Sequence, residues 1–111
     1  MKKPPYYVTD ARHFLDERGL TPDNIPGPAK KFSLFLGQIM EEASLKPPGD
    51  NIETSVKCRQ KPGRKPCPGK ILAHRETKES PILWKCTHCG AGGEIHKWQG
   101  TQWDNSMETV H

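Results

Sequence analysis

No run of more than three consecutive apolar residues occurs in this chain, Ile82-Leu83-Trp84 being one of the longest. A membrane-spanning helix needs about 20. The Met-Lys-Lys start has the positive charge of a secretion signal but no apolar stretch behind it. No membrane partner is expected, and the expected compartment is the cytoplasm. Apolar residues are scarce altogether: they make up 32% of 111 residues, with 7% aromatic and a mean hydropathy of −0.83. An ordinary soluble domain has roughly 45–50%. A large hydrophobic core is thereby excluded, and with it most enzyme folds that enclose a deep pocket. A nucleophile–base pair and a paired-carboxylate cleft are also lacking. Gly90, Gly92 and Gly93 are not followed by the Lys-Ser/Thr and helix that a phosphate loop requires. These absences point away from an enzyme.

What is abundant is turn-forming and charged. Glycine and proline number 10 and 11, charged residues are 27%, and the formal net charge is +4. The surplus is local. Residues 1–50 carry seven basic and seven acidic side chains, whereas residues 51–111 carry ten and six. Within Lys57–Lys70 six residues are basic (Lys57, Arg59, Lys61, Arg64, Lys65, Lys70) and none is acidic. Four cysteines offer the compensation that a small core needs. In a reducing cytosol, paired cysteines more often bind metal than form disulfides.

The front of the chain reads as helical. Thr9 or Asp10 has the side-chain oxygen to cap a short helix running to Arg18. Gly19 supplies the stop and Leu20 the contact that folds back on Leu15. Thr21 to Pro28 is a rigid connector, with Pro28 suited to the first turn of a second helix. From Ala29 to about Leu45, Phe32, Phe35, Leu36, Ile39, Met40 and Ala43 share one face, with Leu34 the large exception. That stripe needs cover from Phe14, Leu15 and Leu20, or from another chain. Lys46-Pro-Pro-Gly-Asp-Asn ends the helix. Beyond it, short strands are expected near Glu53–Cys58, Lys70–Glu76, Ile82–Cys86 and Glu94–Trp98, with Thr77–Pro81 as a hairpin turn.

Cys58, Cys67, Cys86 and Cys89 are spaced C-x8-C-x18-C-x2-C. Two residues between Cys86 and Cys89 let both sulfurs converge on one ion, and Gly90 allows the turn that aims backbone amides back at them. The interval from Cys67 to Cys86 suits a two-stranded hairpin and a zinc site. Other readings of the same residues are two disulfides, or a three-thiolate site completed by His74 or His96 in place of Cys58. A redox pair at Cys86 and Cys89, or iron in place of zinc, is also compatible with the spacing.

On these residues, the region of roughly 54–100 resembles a zinc ribbon. The resemblance implies a three-stranded antiparallel sheet with two knuckles holding one structural Zn2+ through Cys58, Cys67, Cys86 and Cys89. The chain departs from that pattern at the first knuckle, where eight residues separate Cys58 from Cys67 and must bulge out as a loop. The run Ile82-x-Trp84-x-Cys86-x-x-Cys89-Gly-x-x-Gly93-x-Ile95-x-x-Trp98 to Trp103 is similar to the end of certain small bacterial proteins with a helical region before the ribbon. That likeness imports no activity.

The expected architecture is α+β: an N-terminal helical pair followed by a small three-stranded antiparallel sheet. Its expected parts are a helical region over 1–46, a Pro/Gly linker over 47–53, the ribbon over 54–103 and a tail over 104–111. The expected role is binding, not catalysis. RNA or DNA is the leading partner, through Arg59, Lys61, Arg64, Lys65 and Lys70 with Trp98 and Trp103 as stacking platforms. The bland alternative for the basic stretch is partial neutralisation of a four-thiolate zinc centre, and for the two tryptophans, capping of a small core. A protein partner docking on the apolar face of the second helix is the other expectation.

Overall fold

The computed structural model describes residues 4–17, 22, 25–61 and 64–106. Its elements are β1 (Tyr6–Asp10), a single 3-10 turn (Ala11–Phe14), α1 (Gly27–Ser44), β2 (Asn51–Lys57), β3 (Lys70–His74), β4 (Ile82–Cys86) and β5 (Gly92–His96). The strands form one five-stranded sheet in the order β1-β5-β4-β3-β2. β2 through β5 run antiparallel in sequence, and β1 pairs parallel to β5 with Tyr6 opposite Gly92. The helix lies across β2, β3 and β4 on one face.

This corrects the expected architecture in two places. Among the described residues the front of the chain holds one α-helix, not a helical pair, and the sheet has five strands of mixed direction, not three antiparallel ones. Tyr6-Tyr-Val-Thr is a β-branched and aromatic run whose side chains alternate outward and inward. It takes the free edge of β5 in preference to preceding a helix. Asp10 does act as a cap, its carboxylate accepting from the Arg12 amide at 2.8 Å. The cap serves only the 3-10 turn, because Leu15 is already extended. A single turn fixes too few hydrogen bonds to propagate by itself. Gly19, Leu20 and Met107–His111 lie outside the described residues.

α1 matches its sequence pattern closely. Pro28 sits in its first turn, and Phe35, Leu36, Ile39, Met40 and Ala43 are buried. Leu34, the exception in the stripe, is 62% exposed. The buried face meets Ile52 and Val56 of β2, Ile71 and Ala73 of β3, Ile82 and Trp84 of β4, and Ile95 of β5 in one cluster. Phe14 reaches it too, edge-on to Phe32 with ring centroids 6.3 Å apart. Of the face expected to receive a protein partner, Phe35 and Ile39 are buried and Phe32 is half-buried. Glu42 also binds the edge strand: its carboxylate accepts from the Ser55 amide at 2.8 Å and the Ser55 hydroxyl at 2.7 Å. This covers part of an otherwise open strand edge.

Trp98 and Trp103, expected as stacking platforms, are core residues at 0% and 7% exposure. The Trp98 indole N–H donates to the Ser80 carbonyl at 2.9 Å, and the Arg75 guanidinium lies 5.1 Å over its ring. Arg75 is itself buried and donates to the Lys46 carbonyl at 2.7 Å, tying the end of α1 to the β3–β4 side. Trp103 packs against α1 at Gly37. The segment beyond it continues along the helix, the Asn105 amide donating to the Ser44 hydroxyl at 2.8 Å. The start of the expected tail is thus pinned. A β-carbon at Gly37 would fall 2.5 Å from the Trp103 Nε1. Gly37→Ala is expected to displace the indole, at a cost of about 1–3 kcal/mol. Urea unfolding together with a red shift of tryptophan emission measures it.

Candidate metal centre

One end of the sheet gathers all four cysteines. Cys58 directly follows β2, Cys67 stands shortly before β3, Cys86 ends β4, and Cys89 lies in the turn to β5. Because β3 is the common neighbour of β2 and β4, the sheet register itself brings the two halves of the site together. The Cys58 amide donates to the Gly69 carbonyl at 3.0 Å and the Cys67 amide to the Gln60 carbonyl at 2.9 Å. The long first interval therefore closes on itself like a hairpin, with Lys61, Arg64, Lys65 and Pro66 exposed beyond the closing bond. The second turn is closed by the Cys86 amide on the Ala91 carbonyl at 2.7 Å, with Gly90 at φ 83°. A positive φ of that size suits glycine, as the sequence anticipates.

The four Sγ atoms all lie within 4.8 Å of one another. Cys58 and Cys89 sulfurs are 3.7 Å apart, and Cys67 and Cys86 sulfurs 3.6 Å. A disulfide is about 2.05 Å long, so these are not disulfide pairs. Four sulfurs set ~2.3 Å from a tetrahedral ion are ~3.8 Å from each other. The observed spacing is close to that edge. Backbone amides point at three of the sulfurs: Gln60 at Cys58 (3.4 Å), Gly69 at Cys67 (3.4 Å), and His88 and Cys89 at Cys86 (3.3 and 3.5 Å). Such donors spread the negative charge of metal-bound thiolates and fix the sulfurs in place. The residues present fit a single metal ion held by four cysteines.

The titration of the cluster reflects its geometry. Burial pushes the Cys58 thiol up to about 12, against the pull of the Gln60 amide and with the neighbouring sulfurs adding to the rise. At Cys67 the Gly69 amide pulls down, but burial and the Cys86 sulfur carry the thiol above its ordinary value. Burial also pushes Cys86 up, yet the Cys89 and His88 amides and the Cys67 and Cys58 sulfurs outweigh it and bring it to about 7. The Cys86 thiolate is favoured, while Cys58 and Cys67 hold their protons. In so tight a cluster each negative charge raises the cost of the next, so full ionisation calls for a cation.

A histidine in place of Cys58 and a redox pair at Cys86 and Cys89 find no support in the geometry. His74 Nδ1 lies 3.3 Å from the Asp50 carbonyl and His96 Nε2 lies 2.9 Å from Glu94, each on its own partner and not in the sulfur cluster. The turn after Cys86 leads into β5, not into the helix that a thioredoxin-like redox pair wants. Lys57, Arg59, Lys61, Arg64, Lys65 and Lys70 are exposed around the site. Arg59 does more than face solvent: its guanidinium lies 5.5 Å from the Phe32 ring centre and 5.6 Å from that of Phe35. Trp84 lies on the same side, within a group that includes Tyr7, Phe32 and Phe35. The alternation of Trp84 with Cys86 points to its place beside the metal, but no local pattern marks Tyr7 or the role of Arg59.

No protein-family model, curated protein or solved structure matches this chain. Among the described residues, no helix is long and apolar enough to cross a membrane.

Metal affinity is expected to rise with pH through neutrality, because bound cysteines must lose their protons. Above pH 7 the protons of at least Cys58 and Cys67 are released on binding, and below it that of Cys86 as well, so the rise is steeper on the acid side. Competition against a chromophoric chelator across that range gives the slope. A β-carbon at Gly69 would collide with the Cys86 sulfur and come within 2.8 Å of His88 Cβ. Gly69→Ala should therefore weaken metal binding by about 10–100-fold, the usual effect of disturbing the surroundings of ligands. The same chelator competition measures it.

Proposed function

We propose that this chain is a non-catalytic, zinc-ribbon-like module in which one structural Zn2+ closes the end of the sheet and supports a basic loop that binds the phosphate backbone of a nucleic acid. The observation that carries the zinc reading is the pair of sulfur separations, 3.7 and 3.6 Å, close to the edge of a tetrahedral thiolate shell. Four sulfurs fill that shell and leave no open position for water or substrate, which argues for a structural and not a hydrolytic ion. Tetrahedral thiolates also suit iron. Native mass spectrometry before and after chelation identifies the metal, and a colourless protein with one Zn2+ per chain is expected.

The nucleic-acid part rests on exposure and charge. Lys57, Arg59, Lys61, Arg64, Lys65 and Lys70 are all at the surface, in a stretch without an acidic residue. A Zn2+ with four thiolates carries a net −2, so the formal +4 becomes about +2, still positive and still concentrated at this loop. A loop that served only to offset the centre's charge would bind no strand. The test is fluorescence anisotropy with a labelled single-stranded oligonucleotide over a salt series. Affinity should fall linearly on a log–log scale, with a slope near −0.7 per phosphate contacted. The Arg64→Ala, Lys65→Ala double variant should flatten that slope by about one to two. Absence of salt-dependent binding would refute the reading.

A further inference from the structure

Next to the sulfur cluster lies a half-open pocket of about 180 Å³ walled by the rings of Tyr7, Phe32, Phe35 and Trp84, with Cys58, Arg59, Gln60 and Ala91 completing the lining. The rings brace one another. Tyr7 and Trp84 are near-parallel with centroids 6.0 Å apart, Phe35 stands edge-on to Trp84 at 5.3 Å, and Phe32 is near-parallel to Phe35 at 6.2 Å. Gln60 is held in the wall by donating from its side-chain amide to the Tyr7 hydroxyl at 3.2 Å. No carboxylate lines this space; its charged groups are the Arg59 guanidinium, set over the Phe32 and Phe35 rings, and the Cys58 sulfur when it is a metal-bound thiolate.

These features select an occupant. Aromatic cages without an acid often take cations, but Arg59 already supplies a cation here and would repel a second. The pocket suits a flat ring attached to something negative. A cavity of about 150 Å³ holds one benzene ring, so this one matches a single six-membered ring better than a fused pair. Arg59 also begins the exposed basic loop that continues through Lys61, Arg64 and Lys65. That track is longer than a small aryl acid needs and fits a chain of phosphates. We propose that the pocket takes one pyrimidine base, turned out of a single strand and stacked on these rings while Arg59 meets its backbone. The inference rests on the reading of the loop as a nucleic-acid contact and adds base selectivity to it.

Short labelled strands of oligouridylate, oligoadenylate and an abasic analogue of equal length test the proposal on the metal-loaded protein. Oligouridylate should bind at least about five-fold more tightly than the abasic strand, and more tightly than oligoadenylate. Phe32→Leu keeps an apolar side chain under α1 but removes the π-face. It should erase the advantage of oligouridylate while leaving abasic binding, salt slope and metal stoichiometry unchanged. If that variant loses its metal or unfolds, Tyr7→Leu at the half-buried wall carries the test, with the same loss of base preference expected. Equal, salt-dependent affinity for the uridylate and abasic strands would overturn the pocket assignment and leave the loop reading standing. A preference for adenylate, or retention of the uridylate advantage in the intact variant, would also overturn it. No binding of any strand would overturn the loop reading and the pocket with it.

Discussion

Four sulfurs brought to within 4.8 Å of one another are the constraint on which this end of the molecule depends. Residues 59–66 contain no apolar side chain, and of the turn after β4 only Ala91 and the cysteine itself contribute apolar surface. Nothing in those segments could hold them by burial. The backbone bonds from Cys58 to Gly69 and from Cys67 to Gln60 shape the loop, but a backbone hydrogen bond adds only about 0.5–1.5 kcal/mol of net stability. A structural zinc supplies ~10–16 kcal/mol of apparent binding energy near neutral pH. Whole domains are stable by about 5–15 kcal/mol. An ion bound here is thus of the same size as the entire stability margin, and it acts where packing is thinnest.

The far side of the sheet is organised by a different force. There the helix lies on β2–β4, and Trp98, Arg75 and Trp103 join the end of α1, the β3–β4 turn and the segment after β5 into one packed group. Arg75 is a charged residue at 1% exposure. Its place is made tolerable by the Lys46 carbonyl and the face of Trp98, which receive the guanidinium where water cannot. Buried indoles and a guanidinium hold this group, whereas the loop and turn that carry the cysteines have few apolar side chains of their own.

What was legible in the sequence was whatever is encoded locally. The stripe from Phe32 to Ala43 has the period of a helix, β2 to β5 sit within a few residues of their expected places, and Cys86-x-x-Cys89-Gly announces a turn that gathers sulfur. The elements that went unread depend on distant partners. Tyr6–Asp10 has strand-forming residues, but nothing nearby says that its partner is β5 at the opposite end of the chain. A parallel pair needs no adjoining turn, so it leaves no local mark. Trp98 and Trp103 read more readily as caps of a small core than as platforms for a base, and both are buried, against Ser80 and Gly37. The pocket was invisible for the same reason. Its rings come from β1, α1 and β4, three segments that carry no common motif.

The metal centre and the pocket share a residue, and that makes them energetically one site. The Gln60 backbone amide donates to the Cys58 sulfur, while its side-chain amide donates to the Tyr7 hydroxyl. Cys58 itself borders the pocket. An ion that draws Cys58 into a four-sulfur shell therefore also sets the wall made by Arg59 and Gln60, and through Tyr7 it reaches the edge strand β1. Thermodynamic linkage makes this reciprocal. If the metal orders the wall against which a ligand rests, a ligand that needs that wall must hold the metal more tightly by the same factor. Between Cys58 and Cys67, Arg59 lies back over Phe32 and Phe35 while Lys61, Arg64 and Lys65 stay exposed.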